Sequence, residues 1–101
     1  MQYTIIAYDH TDEDAYERRL KARADHIKLG DEMKKEGKAI FGVAILDDNE
    51  KMIGSIYVCD FFSRQELDDW LKIEPYVINK VWDKITIHPC KIGPSFLENK
   101  K

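Results

Sequence analysis

The order of strand-like and helix-like segments along the 101 residues predicts an α+β fold of the ferredoxin-like kind, β-α-β-β-α-β. A four-stranded antiparallel sheet would carry two helices on one face. Three observations support this. Four segments are dense in β-branched and aromatic residues, two others open on helix-capping residues, and only a short polar turn separates the middle strands.

The first strand is "QYTIIAY" (2–8). In "HTDED", Thr11 with Asp14 three residues on resembles a capping box, and acids crowd the first turn. A helix is therefore expected from about Asp12 to Glu36, ending at Gly37. "KAIFGVAIL" (38–46) and "KMIGSIYVCDF" (51–61) form a hairpin across the turn "DDNE". Ser63 caps a short helix, "RQELDDWLKI" (64–73), with Glu66 at the capping-box position. A link, 74–82, leads to the last strand, "KITIHPC" (84–90). Residues 91–101 make a tail with Gly93, Pro94 and a polar end. The chain reads as one domain, 1–101, with its core at about 2–90.

Hydrophobic residues are 44%, charged residues 35% and the net charge is −3. That balance argues against a nucleic-acid binder, which needs clustered Lys and Arg. No apolar run of about 18 residues predicts a membrane span, and "MQYTIIAYDH" lacks a signal-peptide pattern. A cytoplasmic protein is expected. Cys59 and Cys90 have no CxxC spacing and read as reduced, buried small hydrophobes.

The strands are apolar on both faces. Ala39, Phe41, Val43 and Ile45 are set against Ile40, Ala44 and Leu46; Met52, Ile56 and Val58 against Ile53, Tyr57 and Cys59. Helices cover one face only, so the other needs cover. A second copy of the sheet, giving a two-fold homodimer, is the economical expectation. The tail residues Phe96 and Leu97 are the alternative.

On a helical wheel at about 100° per residue, the long helix has Glu17, Lys21, Asp25, Lys28, Glu32 and Lys35 on its solvated side. Tyr16, Leu20 and Ile27 form one apolar edge; Ala22, Leu29 and Met33 form the other. Between them, at the centre of the buried side, lie Arg19, Arg23, His26 and Gly30. Charge there opposes packing logic, because a helix facing a sheet should be apolar at its centre. Either Arg19 and Arg23 pair with carboxylates and His26 is a core histidine, or the three line a pocket. Three polar residues in register favour the pocket. His10 reads as a loop residue and His88 as strand packing. No histidine spacing supports a metal, and no phosphate loop or other cofactor motif is present. Ser55 either points into a cavity or marks a bulge beside Gly54.

These residues resemble the YciI-like (YCII-related) family. "RRLKARADHIKLG" is similar to its R-L-x-x-R-x-x-H signature, "FGVAI" and "GSIYV" to its glycine-containing strands, and "DDWLKIEPYVINKVWDKITIHP" to its W-x-x-x-D-P-Y segment. The resemblance spans about residues 2–90. It implies a ferredoxin-like fold, a dimeric α+β barrel and a pocket in each subunit. In a dehydrochlorinase branch acting on chlorinated hydroquinones, the helix His and the acid of the D-P-Y segment form the catalytic pair. Carried over, that pair is His26 and Glu74, with Arg23, Tyr76 and Ser55 as neighbours and Arg19 on the same stripe. The chain departs from the family in having Glu74 where Asp is usual. Pro75 keeps Glu74 extended, and Tyr76 and Trp82 would wall the pocket or, with Val81, plug the barrel end.

The expected function is a small cofactor-free enzyme. His26 would act as acid or base, Glu74 would orient it, and Arg23 with Arg19 would hold an oxyanion during elimination or isomerisation of a small aromatic or oxyanionic molecule. A non-catalytic small-ligand module of the same fold is the alternative. An RNA-recognition domain shares the element order, but the acidic charge and the long first helix count against it.

Overall fold

The computed structural model describes residues 1–97. In chain order it contains β1 (Gln2–Asp9), α1 (Ala15–Lys35), β2 (Ala39–Leu46), β3 (Met52–Asp60), α2 (Arg64–Ile73), α3 (Pro75–Ile78) and β4 (Trp82–Cys90), followed by a 3-10 turn at Pro94–Phe96. All strand pairs are antiparallel, in the order β2-β3-β1-β4. The ferredoxin-like arrangement is as expected, with α3 as an addition inside the predicted link.

The inner strand β1 alternates cleanly: Tyr3, Ile5, Ala7 and Asp9 are buried toward the helices. Their partners on β3 are Cys59, Tyr57 and Ser55 for the first three, so these share the helix-covered face. Tyr3, Ile5, Ala7 and Cys59 make the core with Phe61, Leu67, Trp70, Tyr76, Val81 and Trp82. Burial of Val81 and Trp82 fits the plug reading for those two residues. Burial pushes the Cys59 thiol up to about 12. Cys90 corrects its expectation. It is exposed, because β4's alternation places it on the uncovered face, where its sulfur accepts from the Thr4 hydroxyl at 3.3 Å.

Helix α1 starts three residues later than predicted. Its N-cap is Asp14, with no side-chain cap bond, so Thr11 plays no capping role. Asp12 instead accepts a forked pair from Arg18 at 2.7 and 2.8 Å. Arg18 Nη2 also donates to the Lys80 carbonyl at 3.0 Å, tying the helix start to the end of the link. The C-terminus is a Schellman motif. Gly37 takes φ 76°, its N–H donates to the Lys34 carbonyl, and Lys38 N–H donates to that of Met33. On α2, Ser63 Oγ accepts the Glu66 N–H at 3.2 Å.

Two assignments of residues to faces change. The register of β2 slips between Ala39 and Phe41. Ala39 therefore pairs with Cys59 on the covered side, while Phe41 and Val43 pair with Val58 and Ile56 on the open side. On α1, the Ala22 and Met33 edge is buried, but Leu20 and Ile27 are exposed. Of that second edge, Ile27 lines a cleft beside β2 instead of packing on the sheet. The tail leaves the sheet uncovered within the described residues: Phe96 is 83% exposed. Its polar end, 98–101, lies outside them.

Candidate active site

Helix α1 carries His26 over the sheet, and the junction of α2 and α3 brings Glu74 beneath it. Glu74 is the C-cap of α2 and the N-cap of α3, with Pro75 opening the new turn. Its backbone is extended, at φ −68° and ψ 121°, as expected for a residue preceding proline. The fully buried carboxylate accepts Tyr76 N–H at 2.9 Å through Oε1. The same oxygen meets His26 Nδ1 at 2.7 Å. A carboxylate at Nδ1 selects the tautomer with its proton on that nitrogen, leaving Nε2 with a lone pair. The Tyr76 ring stacks on the imidazole, with centroids 3.8 Å apart and planes 9° from parallel. Trp82 approaches the imidazole edge-on.

A second constellation lies beside the first. Arg19 Nη1 bonds both oxygens of Asp9 at 2.9 Å, and both side chains are buried. Arg19 Nη2 donates to Ser55 Oγ at 3.0 Å, and Trp82 Nε1 donates to the same oxygen at 3.1 Å. The guanidinium also sits over the Tyr76 ring, 4.8 Å from its centroid. Arg19 thus has its carboxylate partner, as the packing alternative required. Burial raises the Asp9 pKa, with the Arg19 bonds acting against it.

A cleft of about 290 Å³ opens between α1 and the β2–β3 hairpin. Arg19, Arg23, His26, Ser55 and Tyr76 all line it, while Glu74 stands behind His26. The predicted site residues therefore converge. Arg23 is exposed and makes no ion pair among the described residues. Gly30 also belongs to the cleft: a Cβ there would come 3.1 Å from the Tyr57 hydroxyl. His10 lies apart near Asp83, at 3.9 Å.

Two residues escaped the sequence reading. Asp9 continues the alternation Tyr3, Ile5, Ala7 by one step, which was the available signal. Tyr57 reads in the sequence only as a strand-face residue. Its hydroxyl stands 3.4 Å from His26 Nε2, and burial, followed by the nearby Glu74 charge, holds it protonated well above the usual phenol range. Among the described residues, no three His, Cys, Asp or Glu side chains gather as a metal site.

A ferredoxin-like α+β domain with a His–carboxylate pair at the floor of a helix–sheet cleft is the class that this fold and site define. The chain belongs to the YCII-related domain family, whose model matches residues 1–91. It is 27% identical over 97 residues to Protein YciI of Escherichia coli and of Shigella flexneri, covering 90% of this chain and 97% of each relative. Among solved structures, it is similar to 5-chloro-2-hydroxyhydroquinone dehydrochlorinase from Burkholderia phenoliruptrix, in complex with 2,5-dihydroxybenzoquinone. That match has a TM-score of 0.80 and 19% identity, covering 94% of this chain and 98% of that one. A dimeric ferredoxin-like protein from Jannaschia matches with a TM-score of 0.54 and 14% identity, covering 90% of this chain and 98% of the other. At these identities the structural matches establish shared fold.

Proposed function

We propose that this protein is a cofactor-free acid–base enzyme acting on a small aromatic or oxyanionic molecule, assembled as a homodimer through its open sheet face. The 2.7 Å contact between His26 Nδ1 and buried Glu74 carries the reading. With Nδ1–H donated to the carboxylate, Nε2 takes a proton from substrate carbon or hydroxyl, and Glu74 stabilises the resulting imidazolium. The released electron pair moves toward a substrate oxygen held by Arg23, or expels a leaving group such as chloride in an elimination. The stacked Tyr76 ring supplies a flat apolar wall. The similarly folded dehydrochlorinase supports this chemistry by its name and by the quinone in its complex.

The test is chloride release from 5-chloro-2-hydroxyhydroquinone. The parent should turn over, and His26→Gln should lose about 10²–10⁴-fold in rate. A histidine variant as active as the parent would sink the assignment.

A specific contact favours a second reading, a ligand-binding module without turnover. The protonated Tyr57 hydroxyl lies against His26 Nε2, the nitrogen that a base must leave free. On that reading neither the parent nor Tyr57→Phe releases chloride, and quinone ligands raise the melting temperature without being consumed.

A further inference from the structure

The hydroxyl of Ser55 has two acceptor lone pairs and one proton. Arg19 Nη2 and Trp82 Nε1 approach its oxygen at 3.0 and 3.1 Å. A guanidinium and an indole N–H are donors only, so both contacts consume acceptor capacity. Neither donor is free to leave. Arg19 is clamped by both oxygens of Asp9 and packed on Tyr76, and Trp82 is buried in the core. Ser55 is itself only 4% exposed, yet it borders the cleft. Its β3 register places it on the helix-covered face opposite Ala7 and Ala44, whose short side chains leave room beside it.

We infer that Ser55 is a hydrogen-bond donor of fixed polarity, set by Arg19 and Trp82, so the cleft takes a ligand with a carbonyl or ionised hydroxyl oxygen at that point and rejects one presenting N–H there. Asp9, Arg19 and Trp82 are positioning residues that act through Ser55. This rests on the ligand-binding cleft proposed above and adds the polarity of one contact. In the proposed reaction, part of the charge left on the substrate when His26 takes its proton would fall on the oxygen facing Ser55, where a donor that cannot turn needs no reorganisation.

The experiment uses two probes on the full chain: 2,5-dihydroxybenzoquinone, whose oxygens all accept, and 1,4-diaminobenzene, which presents N–H groups. The parent should prefer the quinone. In Ser55→Ala the ratio of the two affinities should shrink at least about tenfold, as expected for loss of a contact to a charged or polarised group. Trp82→Phe leaves the hydroxyl in place but frees a lone pair, so the ratio should shrink there too even if Ser55→Ala folds poorly. A merely structural role would weaken both probes by the same factor and overturn the inference. A Trp82 indole proton resonance that does not move in Ser55→Ala would overturn it independently of any ligand. If neither probe binds the parent, the assigned ligand class falls, whereas the acid–base reading is judged separately by chloride release.

Discussion

Glu74 caps a four-residue helix and holds the His26 ring through one and the same oxygen, Oε1. The dual contact ties the ring orientation to the turn, so whatever fixes the α2–α3 junction also fixes the imidazole. Arg19 and Asp9 show the opposite use of charge. Their pair is buried, so removing one partner leaves an uncompensated buried charge. Asp9→Ala should cost about 3–5 kcal/mol in denaturant unfolding. The double variant Asp9→Leu with Arg19→Met should recover much of that loss, while losing the polarity of Ser55. If the single variant unfolds like the parent, the pair is not buried in solution.

At the scale of elements, capping separates two helices that look alike in sequence. Both open on a hydroxyl residue followed three positions later by an acid. Only Ser63 makes the bond, accepting Glu66 N–H, whose own carboxylate accepts Phe62 N–H at 2.7 Å. Ser63→Ala should therefore destabilise by about 1 kcal/mol. Thr11→Ala should stay within about 0.5 kcal/mol. Thermal or urea melts of the two variants, run together, check the contrast; equal losses would contradict it. The Thr11 capping pattern is local, whereas Asp12 is drawn away by Arg18, which also reaches the Lys80 carbonyl far along the chain.

At the scale of the whole molecule, the open face of the sheet exposes Phe41 and Val43 while the polar residues Lys84, Thr86 and His88 occupy its β4 side. Val43→Glu should shift light-scattering mass toward the monomer. A variant with the parent's mass would remove this face from the interface. Stability against pH follows from three surface carboxylates. Arg18 lowers the pKa of Asp12, the Lys51 and Asn49 amides lower that of Asp47, and Lys38 lowers that of Glu66. A depressed folded-state value stabilises above the ordinary carboxylate range, about pH 4, and the contribution is lost as pH falls through the folded value. Melting temperature should thus hold from pH 7 to about 5 and drop below about 4, with a shallower drop in Asp12→Asn combined with Glu66→Gln. Asp9 has the opposite sign: its raised value removes stability as pH rises from the ordinary carboxylate range to that value. An acid limb that steepens in the double variant would refute the assignment.

The sequence by itself determined the β-α-β-β-α-β order, though not α3, and it picked out the polar stripe on α1 that borders the cleft, though not Tyr57. Period-two and helical spacing are local properties, and a polar stripe inside a buried helix face is conspicuous wherever it ends up. It also placed His26 and Glu74 together, through the resemblance of their segments. Only the tertiary structure decided what each charge does. Arg19 and Arg23 share one stripe, yet one is buried with Asp9 and the other stands free at the cleft, because α1 packs one edge on the sheet while Ile27 of the other lines the cleft. The partners Asp9, Ser55 and Trp82 come from three strands distant in the chain. Hydrogen-bond polarity at Ser55 depends on all of them at once, and a distance between strands is set by packing, which no local pattern encodes.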